Sequence, residues 1–153
     1  MRLPFLNRVD ERARLIRLVA RPEPSLAAVF GRRRCGKSRL LREVLPREQT
    51  VMFVADDREA ALQRAALARE IGRLLPGFGR VTYPDWEPLL ERWWDGAPPG
   101  SVLALDEFPA LVQTSPELPS LLQKRIDEQE PGRPHLLLAG SSQRMMQGLV
   151  LDR

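Results

Sequence analysis

The stretch Phe30-Gly31-Arg32-Arg33-Arg34-Cys35-Gly36-Lys37-Ser38 decides how the rest of this chain is read. It has two glycines with four residues between them, followed at once by a lysine and a hydroxyl residue, the spacing G-x-x-x-x-G-K-[ST] that cradles a polyphosphate. Backbone can wrap closely around phosphate oxygens only where no Cβ intervenes, the condition Gly31 and Gly36 meet. The amides of Arg32, Arg33, Arg34 and Cys35 then point inward, and the open N-terminus of a helix starting near Lys37 adds further donors, with Arg39 in its first turn. The Lys37 ammonium contributes a point charge, and the Ser38 hydroxyl suits a Mg²⁺ that bridges two phosphates. With ten Gly, two Lys and ten Ser plus Thr in 153 residues, chance matches are expected on the order of one in a thousand such chains.

The neighbouring residues supply the context that this loop needs. Leu26-Ala27-Ala28-Val29-Phe30 reads as a short buried strand, and Arg39-Leu40-Leu41-Arg42-Glu43-Val44-Leu45 as a helix stopped by Pro46. Upstream, a helix is expected from Asp10, with Ala13, Ile16, Val19 and Ala20 on its buried face. Downstream, Thr50-Val51-Met52-Phe53-Val54-Ala55 reads as a second strand buried on both sides. Asp56-Asp57 is a candidate cap for a long helix over 58–75, which Pro76-Gly77 ends. Asp85 opens another helix, on which Trp86, Leu89, Leu90, Trp93 and Trp94 share one broad face and read as core.

Ser101-Val102-Leu103-Ala104-Leu105-Asp106-Glu107 is the second stretch that carries chemistry. Apolar residues ending in two carboxylates describe a buried parallel strand whose C-terminal tip enters a site. Asp106 suits Mg²⁺ through its water shell, and Glu107 suits polarising an attacking water. Next come Ser115-Pro116 as a candidate cap, a helix burying Leu118, Leu121, Leu122, Arg125 and Ile126, and a fourth strand, His135-Leu136-Leu137-Leu138-Ala139-Gly140. The single histidine sits at that strand's entry and reads as structural. Ser142 is a candidate cap for a last short helix carrying Met145, Met146 and Leu149.

Composition bounds the class. A chain of 153 residues with 43% apolar content forms one domain with a single core. No apolar run approaches the roughly 18 residues that span a bilayer, and Met1-Arg2-Leu3-Pro4-Phe5 has no signal-peptide character, so no membrane is expected and the reading is cytoplasmic. One cysteine excludes an internal disulfide; Cys35, in an electropositive loop, suits a small filling side chain or a reactive thiol. The net charge of +4 is compatible with nucleic acid, but 20 acidic residues are interspersed and nothing singles that partner out.

The phosphate loop through Leu41, the words Leu105-Asp106-Glu107-Phe108-Pro109 and Leu138-Ala139-Gly140-Ser141-Ser142, and Met145-Met146 together resemble an AAA+-type P-loop ATPase family of archaea and bacteria. A strand between the phosphate-loop strand and the acidic strand, with the acidic pair Asp-Glu, likewise resembles the P-loop ATPases that have an additional strand and a catalytic glutamate. The resemblance implies an α/β, three-layer P-loop NTPase fold with a mostly parallel sheet of about four strands, and ATP and Mg²⁺ as ligands. It implies that Lys37 and Ser38 bind phosphate and metal, that Asp106 and Glu107 form the Walker B pair, and that Ser141, or failing it Ser142, is the sensor of the γ-phosphate. Asn7 and Arg8 are similar to the N-terminal box that packs near adenine. A fifth strand and a helical lid, usual in such folds, do not follow Arg153, so an N-terminal piece of a longer protein is expected, its phosphate-loop strand near an open sheet edge.

The activity expected is slow hydrolysis of the β–γ bond of ATP, which drives or switches a C-terminal domain or partner protein, with a homo-oligomer open. The alternatives are a nucleotide-dependent signalling switch or scaffold with little turnover, or the ATPase of a DNA-processing protein. A small-molecule kinase would need an arginine-rich acceptor lid, and a GTPase an Asn-Lys-x-Asp segment; neither occurs.

Overall fold

The computed structural model describes residues 8–30 and 37–141 together with Met145, Met146 and Gly148, with side chains for these except residues 8–11, Lys37 and Ser38. Helix α1 covers Arg8–Val19 and strand β1 Leu26–Phe30; α2 covers Lys37–Val44 and β2 Thr50–Val54. Then follow α3 (Ala60–Ile71), α4 (Trp86–Gly96), β3 (Val102–Asp106), α5 (Phe108–Thr114), α6 (Leu118–Asp127) and β4 (His135–Gly140). The four strands form one sheet in the order β1-β4-β3-β2, and every neighbouring pair is parallel.

The period-2 alternation of side chains splits each strand between two layers. Leu26 and Ala28, Val51 and Phe53, Leu103 and Leu105, and Leu136 and Leu138 face the larger core, built with α3, α4, α5 and α6. Ala27 and Val29, Val102 and Ala104, and Leu137 and Ala139 face the smaller one, closed by Leu15 of α1 and by Leu41 and Leu45 at α2. The result is a three-layer α/β fold around a parallel four-stranded sheet, as the sequence implies. The three tryptophans lie in the larger core. The Trp86 Nε1–H donates to the Ser115 hydroxyl across 2.6 Å, so the indole keeps a polar partner on burial.

In space the strand between the phosphate-loop strand and the acidic strand is β4, although β2 is the one between them in sequence. Among the described residues β1 forms one edge of the sheet and β2 the other.

Several local expectations are corrected. The buried face of α1 is Leu15 with Leu18 and Val19 packed alongside, whereas Ile16 is 50% exposed and Ala13 faces solvent. Both faces are apolar, and only the position of α2 chooses between them. Strand β2 buries one face, through Val51 and Phe53, while Thr50 and Met52 are half-buried and Val54 is exposed; an edge strand lacks the second layer that covers β3 and β4. The helix expected over 58–75 is shorter. Asp56 does not cap it: Oδ1 accepts from the Arg58 amide at 3.0 Å and Oδ2 pairs with the Arg58 guanidinium at 2.8 Å, closing the turn before α3. Ser115 ends α5 and holds Trp86 rather than capping α6, whose first turn carries Pro119 instead of Pro116.

Candidate functional site

Strand β3 is buried at all five positions and delivers Asp106, 4% exposed, at its C-terminal end. Register aligns Val54 with Asp106 and Phe30 with Gly140, so the tips of all four strands lie along one edge of the sheet. Parallel sheets gather ligand-binding residues at this carboxyl edge. There the Ala55 amide donates to the Asp106 carbonyl at 2.9 Å and extends the β2–β3 pairing by one residue.

Glu107 alone joins β3 to α5. So abrupt a turn needs a left-handed residue, and Glu107 has φ 55° and ψ 43°, a conformation that costs a non-glycine residue about 1–2 kcal/mol. Two hydrogen bonds hold it. Its amide donates to Asp106 Oδ1 at 2.8 Å, and its carbonyl accepts from the Ala110 amide at 3.0 Å as α5 begins. The turn places the Glu107 carboxylate toward the tip of β4, where the Ser141 hydroxyl donates to Oε1 across 2.8 Å.

Gly140, just before Ser141, is closely packed. A Cβ at this position would lie 2.8 Å from Met146 Sδ, closer than real contacts allow, and 3.1 Å from Pro109 Cδ, a tight contact. The absence of a side chain lets the α5 turn and Met146 close over the strand tip.

The structure therefore brings Asp106, Glu107 and Ser141 together. Lys37 and Ser38 are described as the first backbone positions of α2 and Arg8 as the first of α1. Asn7, Gly31, Arg32, Arg33, Arg34, Cys35, Gly36 and Ser142 lie outside the described residues. Arg39 extends into solvent, its side chain 85% exposed, and pairs with Glu43 one turn along the helix at 3.1 Å. Among the described residues no group of three or more His, Cys, Asp or Glu could hold a metal ion by itself. Nor is any helix among them long and apolar enough to cross a membrane.

Sequence reasoning overlooked Gln63. Its side chain is buried in α3 and spans the loop after β2: Oε1 accepts from the Asp56 amide at 3.0 Å, and Nε2 donates to the Arg58 carbonyl at 3.1 Å. The signal was a glutamine on the four-residue stripe shared with Leu67 and Ile71, all three buried. An amide on a core stripe needs partners, and a neighbouring loop is the usual source.

A structural likeness joins this geometry. The Walker-type ATPase Paby2304 of Pyrococcus abyssi superposes with a TM-score of 0.66 over 94% of this chain and 47% of its own, at 19% identity. The fold is similar to that of this ATPase. In sequence the chain is 24% identical over 149 residues to the uncharacterized protein MJECL04 of Methanocaldococcus jannaschii, a match spanning 97% of this chain and 32% of that protein. The chain thus covers about a third of the length of this relative and about half of the structural one. No family model matches.

Proposed function

We propose that the chain is the nucleotide-binding core of an AAA+-like ATPase, which binds ATP with Mg²⁺ and uses slow hydrolysis of the β–γ bond to drive or switch an attached domain. The observation that carries this reading is the 2.8 Å bond from Ser141 to Glu107 beside buried Asp106, on the edge where the strand preceding the phosphate-loop sequence also ends. A binding module has no need for a second carboxylate there.

The donor chemistry fits the ligands. Asp106 offers hard carboxylate oxygen at a strand tip, the kind that Mg²⁺ takes through its water shell. Bound Mg·ATP supplies the electrophilic phosphorus and the charge to be stabilised. In this reading Gly31 and Gly36 let the loop amides approach phosphate, Lys37 adds a cation and Ser38 a metal-binding hydroxyl. Glu107 orients the attacking water and accepts its proton. Ser141 holds the Glu107 carboxylate in place, and while it does so one carboxylate oxygen is already engaged, which suits slow basal turnover. The left-handed backbone of Glu107 supports the assignment, because strained residues cluster where geometry serves chemistry.

Mg²⁺-dependent binding and turnover of ATP, measured on the parent, Lys37→Ala and Glu107→Gln, test the reading. It predicts lost binding for Lys37→Ala, and retained binding with turnover lowered by about 10²–10⁴-fold for Glu107→Gln. Equal turnover in the parent and Glu107→Gln would remove the base from the mechanism.

A further inference from the structure

The two faces of the sheet are covered unequally. On the larger core's side helices bury all four strands, including Val51 and Phe53 of β2. On the other side α1 and α2 bury β1, β4 and β3 but stop short of β2, where Thr50 and Met52 are half-buried and Val54 is 54% exposed. Beside α2 this leaves a groove of about 600 Å³, above the buried side chains of Leu41 and Leu45, with half-buried Thr50 and Met52 along it. Arg42, Arg47 and Arg73 line its rim, with Glu70 the one acid among the lining residues. Glu70 is taken up by Arg73 at 2.8 Å. Arg42 and Arg47 are exposed and have no ion-pair partner among the described residues.

We propose that this groove over β2 is the docking surface for an acidic amphipathic helix of a partner protein. A helix lying beside α2 and over the outer face of β2 would continue the layer that α1 and α2 form. An apolar stripe on such a helix would cover half-buried Met52, and acidic residues flanking the stripe would face Arg42 and Arg47. Charge complementarity of this kind sets both orientation and partner choice. Nucleic acid fits less well. Among the described residues no aromatic side chain lines the groove for bases to stack on. The surface lies away from the Asp106–Glu107–Ser141 cluster, so the inference stands independently of the proposed catalysis.

Fluorescence anisotropy on the whole chain tests it with three labelled probes. The first is a designed peptide of about 18 residues with a leucine stripe flanked by glutamates; the second is the same peptide with lysines for glutamates; the third is a single-stranded oligonucleotide. The glutamate peptide is expected to bind. Arg42→Glu/Arg47→Glu should weaken that binding at least tenfold and improve binding of the lysine peptide, and Met52→Asp should also weaken the glutamate peptide at least tenfold. Circular dichroism and thermal melting must show all variants folded, and the surface positions of Arg42 and Arg47 favour this. The proposal fails if the two peptides bind alike, if neither binds, or if Met52→Asp has no effect. It also fails if only the oligonucleotide binds in a manner dependent on Arg42 and Arg47, which would make the groove a nucleic-acid face. Concentration-dependent self-association abolished by Met52→Asp would likewise overturn it, in favour of a second copy of the chain.

Discussion

The Ser141 hydroxyl and the Glu107 carboxylate, 34 residues apart in sequence, are joined by a 2.8 Å hydrogen bond between the tip of β4 and the one-residue turn after β3. Ser141→Ala removes this positioning donor and leaves the carboxylate chemically intact. Under the proposed function, turnover of ATP should fall by about 10–100-fold with nucleotide affinity little changed. Steady-state hydrolysis beside a fluorescent-nucleotide titration separates the two; Ser141→Thr, which keeps the hydroxyl, should recover part of the rate.

Gly140→Ala should destabilise the fold by about 1–3 kcal/mol, the range for overpacking a filled core. Met146 can turn aside from the new methyl group, but the ring of Pro109 cannot. The double variant Gly140→Ala/Met146→Ala should therefore recover only part of the loss that the single changes predict together, a coupling readable from urea midpoints.

His135 makes stability depend on pH. The ring is buried, and Nδ1 accepts from the Ser25 amide at 3.0 Å, which puts the proton of the neutral ring on Nε2. Nε2 has no partner of hydrogen-bond geometry among the described residues. Burial pushes the pKa below 6.5; the Val19 carbonyl nearby opposes this, the Arg21 charge adds to it, and the Arg21 carbonyl opposes it. Below 6.5 the unfolded chain binds a proton that the folded chain resists, so stability is fully present above 6.5 and declines as pH falls from there toward the depressed folded value. Urea midpoints at a series of pH values should show this decline, and His135→Gln should flatten it.

Gln63→Met keeps the size of a buried side chain and removes its amide. The Asp56 amide and Arg58 carbonyl then lose their partners, at a cost of about 1–3 kcal/mol. Amide hydrogen exchange should quicken at residues 56–58 more than in β3, which a general loosening of the core would not produce.

The sequence by itself determined the local units. Glycine spacing marks the candidate phosphate loop because only residues without a Cβ permit close backbone approach, and its flanks β1 and α2 follow from the apolar run before it and the amphipathic run after it. Asp106 and Glu107 were legible as a strand tip for the same reason: a run buried on both faces that ends in charge must emerge at an edge. The core role of the tryptophans came from their helical spacing.

The tertiary structure alone decided which of these units became neighbours. Side-chain periodicity assigns faces but does not say which strands lie side by side, because crossover helices let consecutive strands be placed apart. Thus among the described residues β4, last in sequence, enters between β1 and β3 and carries Ser141 to Glu107, while β2 becomes an edge with one face only partly covered. The choice between two apolar faces of α1, the left-handed turn at Glu107 and the loop held by Gln63 were equally hidden. Each depends on contacts between distant segments, and no local pattern encodes them.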